Sequence, residues 1–224
     1  MENFQYTLIH INKIFFKFFK NLPFISEGVT LGFIIISTLF LISFYYMGLK
    51  YPDVDLKIKG LGHRNIVTHS FFLTTILMYL HKTNLLWLVY GAKFDITRFM
   101  ITGLSLGIAI HILYDLRPKA YKGTALIKFP YMNRGLSVNQ SIAFMLLTVG
   151  VCLFTVIFYV KTLYEMFILL FLLVFTIVKK RKVEKGFWTT IIFFIIIFFS
   201  LIYFKPTIIK YWNILMNYSR LGII

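Results

Sequence analysis

Six apolar runs constrain this chain more than any other feature of its sequence. Residues 29–47 and 140–160 carry no charged side chain. Residues 187–204 form a third run, and 162–178 a fourth with Glu165 near one end. Residues 99–116 form a fifth that contains His111 and Asp115, and 66–80 a shorter sixth. A helix needs about 20 apolar residues to cross a bilayer core about 30 Å thick. The pattern therefore predicts an all-α fold, a polytopic membrane helical bundle of about six transmembrane helices. The short run at 66–80 either continues through 81–92 or is followed by a re-entrant piece.

The first 24 residues differ. Lys13, Lys17 and Lys20 share one helical face, and Leu8, Ile11, Phe15, Phe16 and Phe19 fill much of the rest. Such a segment suits a helix lying in the membrane interface. The expected organisation is an interfacial amphipathic helix over 1–24, a membrane domain over 25–138, and additional transmembrane helices over 139–224. A cleaved signal peptide is not expected, because the first long apolar run starts late and lacks a small-residue cleavage site.

Charge enters as a question of partners. The net charge of +16 arises from 24 Lys and Arg against 8 Asp and Glu. The basic residues lie between apolar runs and make no soluble basic face, so the expected partner is the lipid bilayer and not nucleic acid. With the basic loop at 179–185 in the cytoplasm, residues 49–65 and 117–138 fall on the same side, which then holds more Lys and Arg than the other. This orientation predicts an integral protein of the cell (inner) membrane. Cys152 is the single cysteine, so no internal disulfide exists.

Acidic residues are scarce, and their placement is informative. Three of the four aspartates and three of the five histidines fall in two segments, 51–70 and 111–115. His111 and Asp115 stand four residues apart, on one helical face. Gly103 and Gly107 continue that face at the same interval, a spacing that lets another helix approach closely. Ionisable groups at the end of a span point inward at a partner or a polar cavity. Asp53, Asp55, His63, His69, His111 and Asp115 are thus expected to converge at one membrane surface.

Imidazole with carboxylate is a ligand set for a divalent metal ion, zinc or manganese above all. Such an ion with an open position activates water and polarises a carbonyl or phosphoryl oxygen. Arg64 cannot ligate a cation, and is expected to face an anion: a ligand carboxylate such as Asp55, or a substrate phosphate or oxyanion. Asp53 or His69 serves as general base where it is not a ligand. Thr68 and Ser70 either orient a ligand or cap a helix.

At these residues the chain resembles the YdjM-like family of inner-membrane proteins, described as membrane-bound metal-dependent hydrolases. The likeness rests on Pro52, Asp53 and Asp55, then on Gly62, His63, Arg64, Thr68, His69 and Ser70, then on His111 and Asp115 with Pro118. It covers roughly residues 50–130. Leu56 stands where that family has a histidine, and His10 is the nearest counterpart of its early histidine. The resemblance implies a hydrolase. The same His/Asp set in a transporter of metal ions or small solutes, or in a non-enzymatic membrane regulator, is the alternative.

Overall fold

The computed structural model describes residues 31–61, 63–83, 95–116, 126–132 and 134–180, with isolated helical positions at 192, 195, 196, 199, 203 and 210. Five α-helices account for most of it: α1 (Leu31–Lys50), α2 (Phe72–Lys82), α3 (Ile96–Asp115), α4 (Val138–Tyr159) and α5 (Leu163–Lys180). A 3-10 turn at Pro52–Lys57 follows α1. Among the described residues the fold is all-helical, with only isolated β-bridges joining loops. Two of the helices, Ile96–Asp115 and Val138–Tyr159, are long and apolar enough to cross a membrane. The interfacial segment expected over 1–24, with His10, lies outside the described residues, as does most of the run at 187–204.

Helix α3 is the axis of the described residues, and from Thr97 to Tyr114 all but the half-buried Met100 are buried. Its close approach to α1 depends on glycine. A Cβ on Gly103 would run into the Leu41 carbonyl, one on Gly107 into the Tyr45 carbonyl, and one on Gly48 of α1 into the Leu104 carbonyl. The two backbones touch, as small residues at four-residue intervals permit. On its other side α3 packs with Met145, Val149, Cys152, Leu153 and Val156 of α4 in one core. Helix α5 closes the group: Tyr45 reaches the Leu172 carbonyl and the Thr176 hydroxyl, and Ser37 meets Tyr164 at 2.9 Å.

The helix starts carry their own signals. The Asp95 side chain accepts from the Arg98 N–H and caps α3. Ser137 and Gln140 form a reciprocal capping box at the start of α4. Helix α5 keeps Phe167, Phe171, Val174 and Val178 exposed. Their spacing draws an apolar stripe down its outer face.

One expectation needs correction. The run at 66–80 is not helical throughout, since α2 begins only at Phe72. Residues before it form turns: Asn65 Oδ1 accepts the Val67 N–H, and the Ser70 hydroxyl donates to the Val67 carbonyl. Short polar side chains that bond nearby backbone compete with helix in this way. The 11 residues of α2 rise about 16 Å, roughly half a bilayer core.

At the far end from these turns lies a second polar group. Arg98 in the first turn of α3 pairs with Glu165 in the first turn of α5 at 2.8 Å, and both are buried. His81 at the end of α2 bonds the Tyr159 hydroxyl at 2.9 Å and Asp95 at 3.0 Å. The sequence offers no acidic neighbour for His81; the fold brings Asp95 to it.

A candidate metal centre at one end of the central helix

The stripe Gly103, Gly107, His111, Asp115 sets the position of the centre. Where α1 crosses the two glycines, its last turn comes level with the last turn of α3. The Leu49 carbonyl there accepts a hydrogen bond from His111 Nδ1 at 2.8 Å. The chain then turns into the 3-10 segment with Pro52 at its start. This segment brings Asp53 to His111, with Oδ1 at 3.6 Å from Nε2, and sinks Asp55 into the protein.

The loop that follows supplies the other groups. Asp55 Oδ2 accepts the Asn65 N–H at 2.9 Å and the Thr68 hydroxyl at 3.1 Å. Thr68 therefore orients a carboxylate, and the N-cap of α2 is Phe71. A second loop braces the first: Ile66 N–H donates to the Lys128 carbonyl and Lys128 N–H to the Arg64 carbonyl, both at 2.9 Å. Arg64 sits at φ 62°, in the left-handed region. That conformation costs a non-glycine residue about 1–2 kcal/mol. With this backbone, Arg64 brings Nη2 to 3.6 Å from Asp115 Oδ1.

His69, wholly buried, stands between two carboxylates. Its Nε2 lies 3.0 Å from Asp115 Oδ2, and its Nδ1 lies 3.1 Å from the Thr68 hydroxyl and 3.4 Å from Asp55 Oδ2. His111 Nε2 is 3.4 Å from the same Asp115 oxygen. One ligand atom from each of His69, His111 and Asp115 can be chosen so that all lie within 4.8 Å of one another. Ligand bonds of about 2.0–2.2 Å put tetrahedral ligand atoms about 3.3 Å apart. These three residues could therefore hold a metal ion. His63 lies further out, with Nδ1 3.6 Å from Asp55 Oδ1. The six acid and imidazole groups named from the sequence thus lie in one connected cluster, and three of them form the compact ligand group.

The electrostatics favour a cation. Helix α3 ends here, and the C-terminal end of a helix carries partial negative charge. His111 Nδ1 must carry a proton to donate to a carbonyl, which leaves Nε2 as a lone pair in the neutral ring. That atom is buried, lacks a hydrogen-bond partner, and faces Asp53 and Asp115. Asp55 Oδ1 and His63 Nδ1 are likewise buried without a hydrogen-bond partner. Burial works to raise the Asp55 carboxyl, but the bonds from His69, Asn65 and Thr68 outweigh it and hold the group at about 2. Burial also works to lower the His69 imidazole. The flanking Asp115 and Asp55 win there and raise it above its ordinary range.

Scanned against protein-family models, curated proteins and solved structures, the chain matches none. Two features of the centre lay beyond residue types and spacing. One is the Leu49 carbonyl, a main-chain atom of a residue with no chemistry of its own. The other is Thr68, whose hydroxyl served equally well as a cap or an orienter until its partner was known.

Proposed function

We propose that the chain is an integral membrane protein of about six spanning helices in the YdjM-like family, with a metal-dependent hydrolase centre at the cytoplasmic surface of the inner membrane. The observation that carries the metal part of this reading is the buried His111 Nε2, turned toward two carboxylates with its Nδ1 proton committed to Leu49, and the hydrolase part rests on the motif likeness. A lone pair pressed against two carboxylates is unfavourable without a cation or a proton between them, and Arg64 reaches only the other Asp115 oxygen. The motif likeness and the outward apolar stripe of α5 support the family and the membrane setting.

His69, His111 and Asp115 would hold a divalent ion, zinc or manganese. Such an ion supplies Lewis acidity toward a carbonyl or phosphoryl oxygen and a water acidic enough to attack near neutral pH. Asp55 steadies His69 from behind through Nδ1, the carboxylate–histidine arrangement that fixes ring orientation at metal sites. His69 is wholly buried, so it acts as a ligand; the half-exposed Asp53 is the base that takes the proton from the attacking water. Arg64 meets the developing negative charge on the substrate oxygen from the Asp115 side. The substrate is an ester or phosphoester.

The test is elemental analysis of the purified, zinc- or manganese-reconstituted protein beside hydrolysis of chromogenic carboxyl and phosphate esters. Wild type should hold metal in stoichiometric amount, and His111→Ala should lose metal and activity together. Arg64→Ala should keep its metal while hydrolysis falls about a hundredfold. Wild-type protein that takes up no metal would end this reading. Metal bound without hydrolysis of either ester class, but with uptake of the ion into vesicles, would favour the transporter instead.

A further inference from the structure

The loops that brace the centre carry a surface chemistry that the centre itself does not use. In 51–71 and 126–137 the acidic side chains among the described residues are Asp53 and Asp55, and both face histidines. Lys57, Lys59, Lys128 and Arg134 are exposed around them. No carboxylate of these loops is left to balance those four cations. Between them stand exposed apolar side chains: Leu56 at 62%, Ile58 at 44%, Tyr131 at 78% and Met132 at 63%. Along the chain the two kinds alternate, as in Leu56-Lys57-Ile58-Lys59.

These loops are neither loose nor far from the bilayer-length helices. Tyr131 N–H donates to the Gly60 carbonyl at 2.9 Å, and Gly60 at φ 90° leaves room for the Tyr131 ring. The Ser141 hydroxyl of α4 accepts the Ile127 N–H at 3.1 Å. Asp115 ends one membrane-length helix and Val138 begins the other, so on the spanning reading the loops emerge where both leave the apolar layer. Cations there meet the headgroup layer while their apolar neighbours enter the acyl boundary. A soluble anion would account for the lysines but not for four large exposed apolar side chains among them.

We infer that the paired loops around Lys57–Lys59 and Lys128–Arg134 form a docking surface for anionic, phosphate-bearing lipid headgroups beside the metal centre. The surface goes beyond the hydrolase reading. It rests on the membrane-embedded part of that reading and not on the metal. Its cations bind the phosphate, and Leu56, Ile58, Tyr131 and Met132 hold the adjoining glycerol and upper acyl region.

Native mass spectrometry of the full chain, released from detergent micelles in the presence of phosphatidylglycerol, phosphatidylcholine or inorganic phosphate, tests this directly. Phosphatidylglycerol should be retained over phosphatidylcholine in wild type. In the double variant Lys57→Glu/Lys59→Glu its retention should fall about tenfold or more, with bound zinc unchanged. Chelator-treated protein should keep the same lipid preference, since the loop cations do not depend on the ion. Equal retention of the two lipids, or an unchanged preference in the double variant, overturns the surface. Displacement of phosphatidylglycerol by an equal concentration of inorganic phosphate also overturns it, because the ligand is then a free anion. Loss of preference on chelation overturns it too, because the metal then holds the headgroup. A chain found in the soluble fraction without detergent overturns the spanning reading on which the surface rests, and the surface with it. Equal lipid retention by a chain that stays in membranes leaves that reading intact.

Discussion

The Leu49 carbonyl and the His111 imidazole meet at 2.8 Å, joining the end of one helix to the end of another. This contact commits one ring nitrogen of His111 and leaves the other buried, without a hydrogen-bond partner, facing Asp53 and Asp115. It depends on nothing but the closeness of α1 and α3, so the centre inherits its geometry from a helix crossing.

A substitution that touches no ligand should therefore disturb the centre. Gly107→Ala puts a methyl group against the Tyr45 carbonyl and forces α1 outward. Overpacking of this kind costs about 1–3 kcal/mol. We expect a lower unfolding midpoint and weaker zinc binding together, read by thermal unfolding and competitive metal titration. Gly150→Ala is the control: its Cβ would meet nothing within 4 Å, and a helical alanine gains about 0.5–1 kcal/mol over glycine. If the two variants behave alike, the seam has no part in shaping the centre.

The response to pH follows from His69. Its imidazole is raised above the ordinary value of 6.5 by Asp115 and Asp55. In metal-free protein the charged ring contributes stability that is full below the unfolded value and fades as pH rises through the raised one. Metal binding has the opposite sign, because a ligand nitrogen must be unprotonated. The gain in unfolding temperature on adding zinc should thus grow as pH rises through that window. Asp55 gives a second limit, at the acid end: its contribution is present above 3.8 and lost as pH falls toward about 2. Thermal scans with and without zinc across this range settle both signs, and a zinc effect largest at acid pH would contradict the first.

Asp55→Asn should separate orientation from ligation. Asparagine can still accept the Asn65 N–H or the Thr68 hydroxyl, but it no longer offers a charge to His69 Nδ1. Losing such a supporting carboxylate lowers metal affinity about 10–100-fold. The fold should survive, and isothermal titration with zinc gives the affinity. An unchanged affinity would leave Asp55 a purely structural acid.

The opposite end of α3 permits an independent measurement. Arg98→Met strands the buried Glu165 carboxylate, which breaking a buried ion pair prices at about 3–5 kcal/mol. Arg98→Met/Glu165→Leu should recover much of that, because the pair is then replaced by apolar volume. Neither variant should change zinc affinity, since the pair lies thirteen residues from His111 along one helix.

Much of this arrangement was legible before any coordinates. The four-residue interval through Gly103, Gly107, His111 and Asp115 told both which face of the helix packs and which end bears chemistry. The scarcity of carboxylates made the cluster around Asp53 and Asp55 stand out. The turns before Phe72 were hidden, because hydropathy weighs Ile66, Val67 and Phe71 and ignores where Asn65 and Ser70 send their hydrogen bonds. His81 and Asp95 were hidden for another reason: they stand fourteen residues apart with no helical period to relate them. Proximity of that kind comes from the packing of whole helices.

The glycine seam has a consequence for motion. Two helices that touch through their backbones have lost the compressible layer of side chains that lets neighbours drift by fractions of an ångström. Sliding α1 along α3 is then stepwise, and the nearest alternative notch is one turn away, about 5.4 Å. Such a step would carry the Leu49 carbonyl from the His111 ring to the Asp115 carboxylate, setting acceptor against acceptor. The notch toward Asp115 is thus closed by electrostatics, and a step the other way, toward Gly107, gives up the bond between Leu49 and His111.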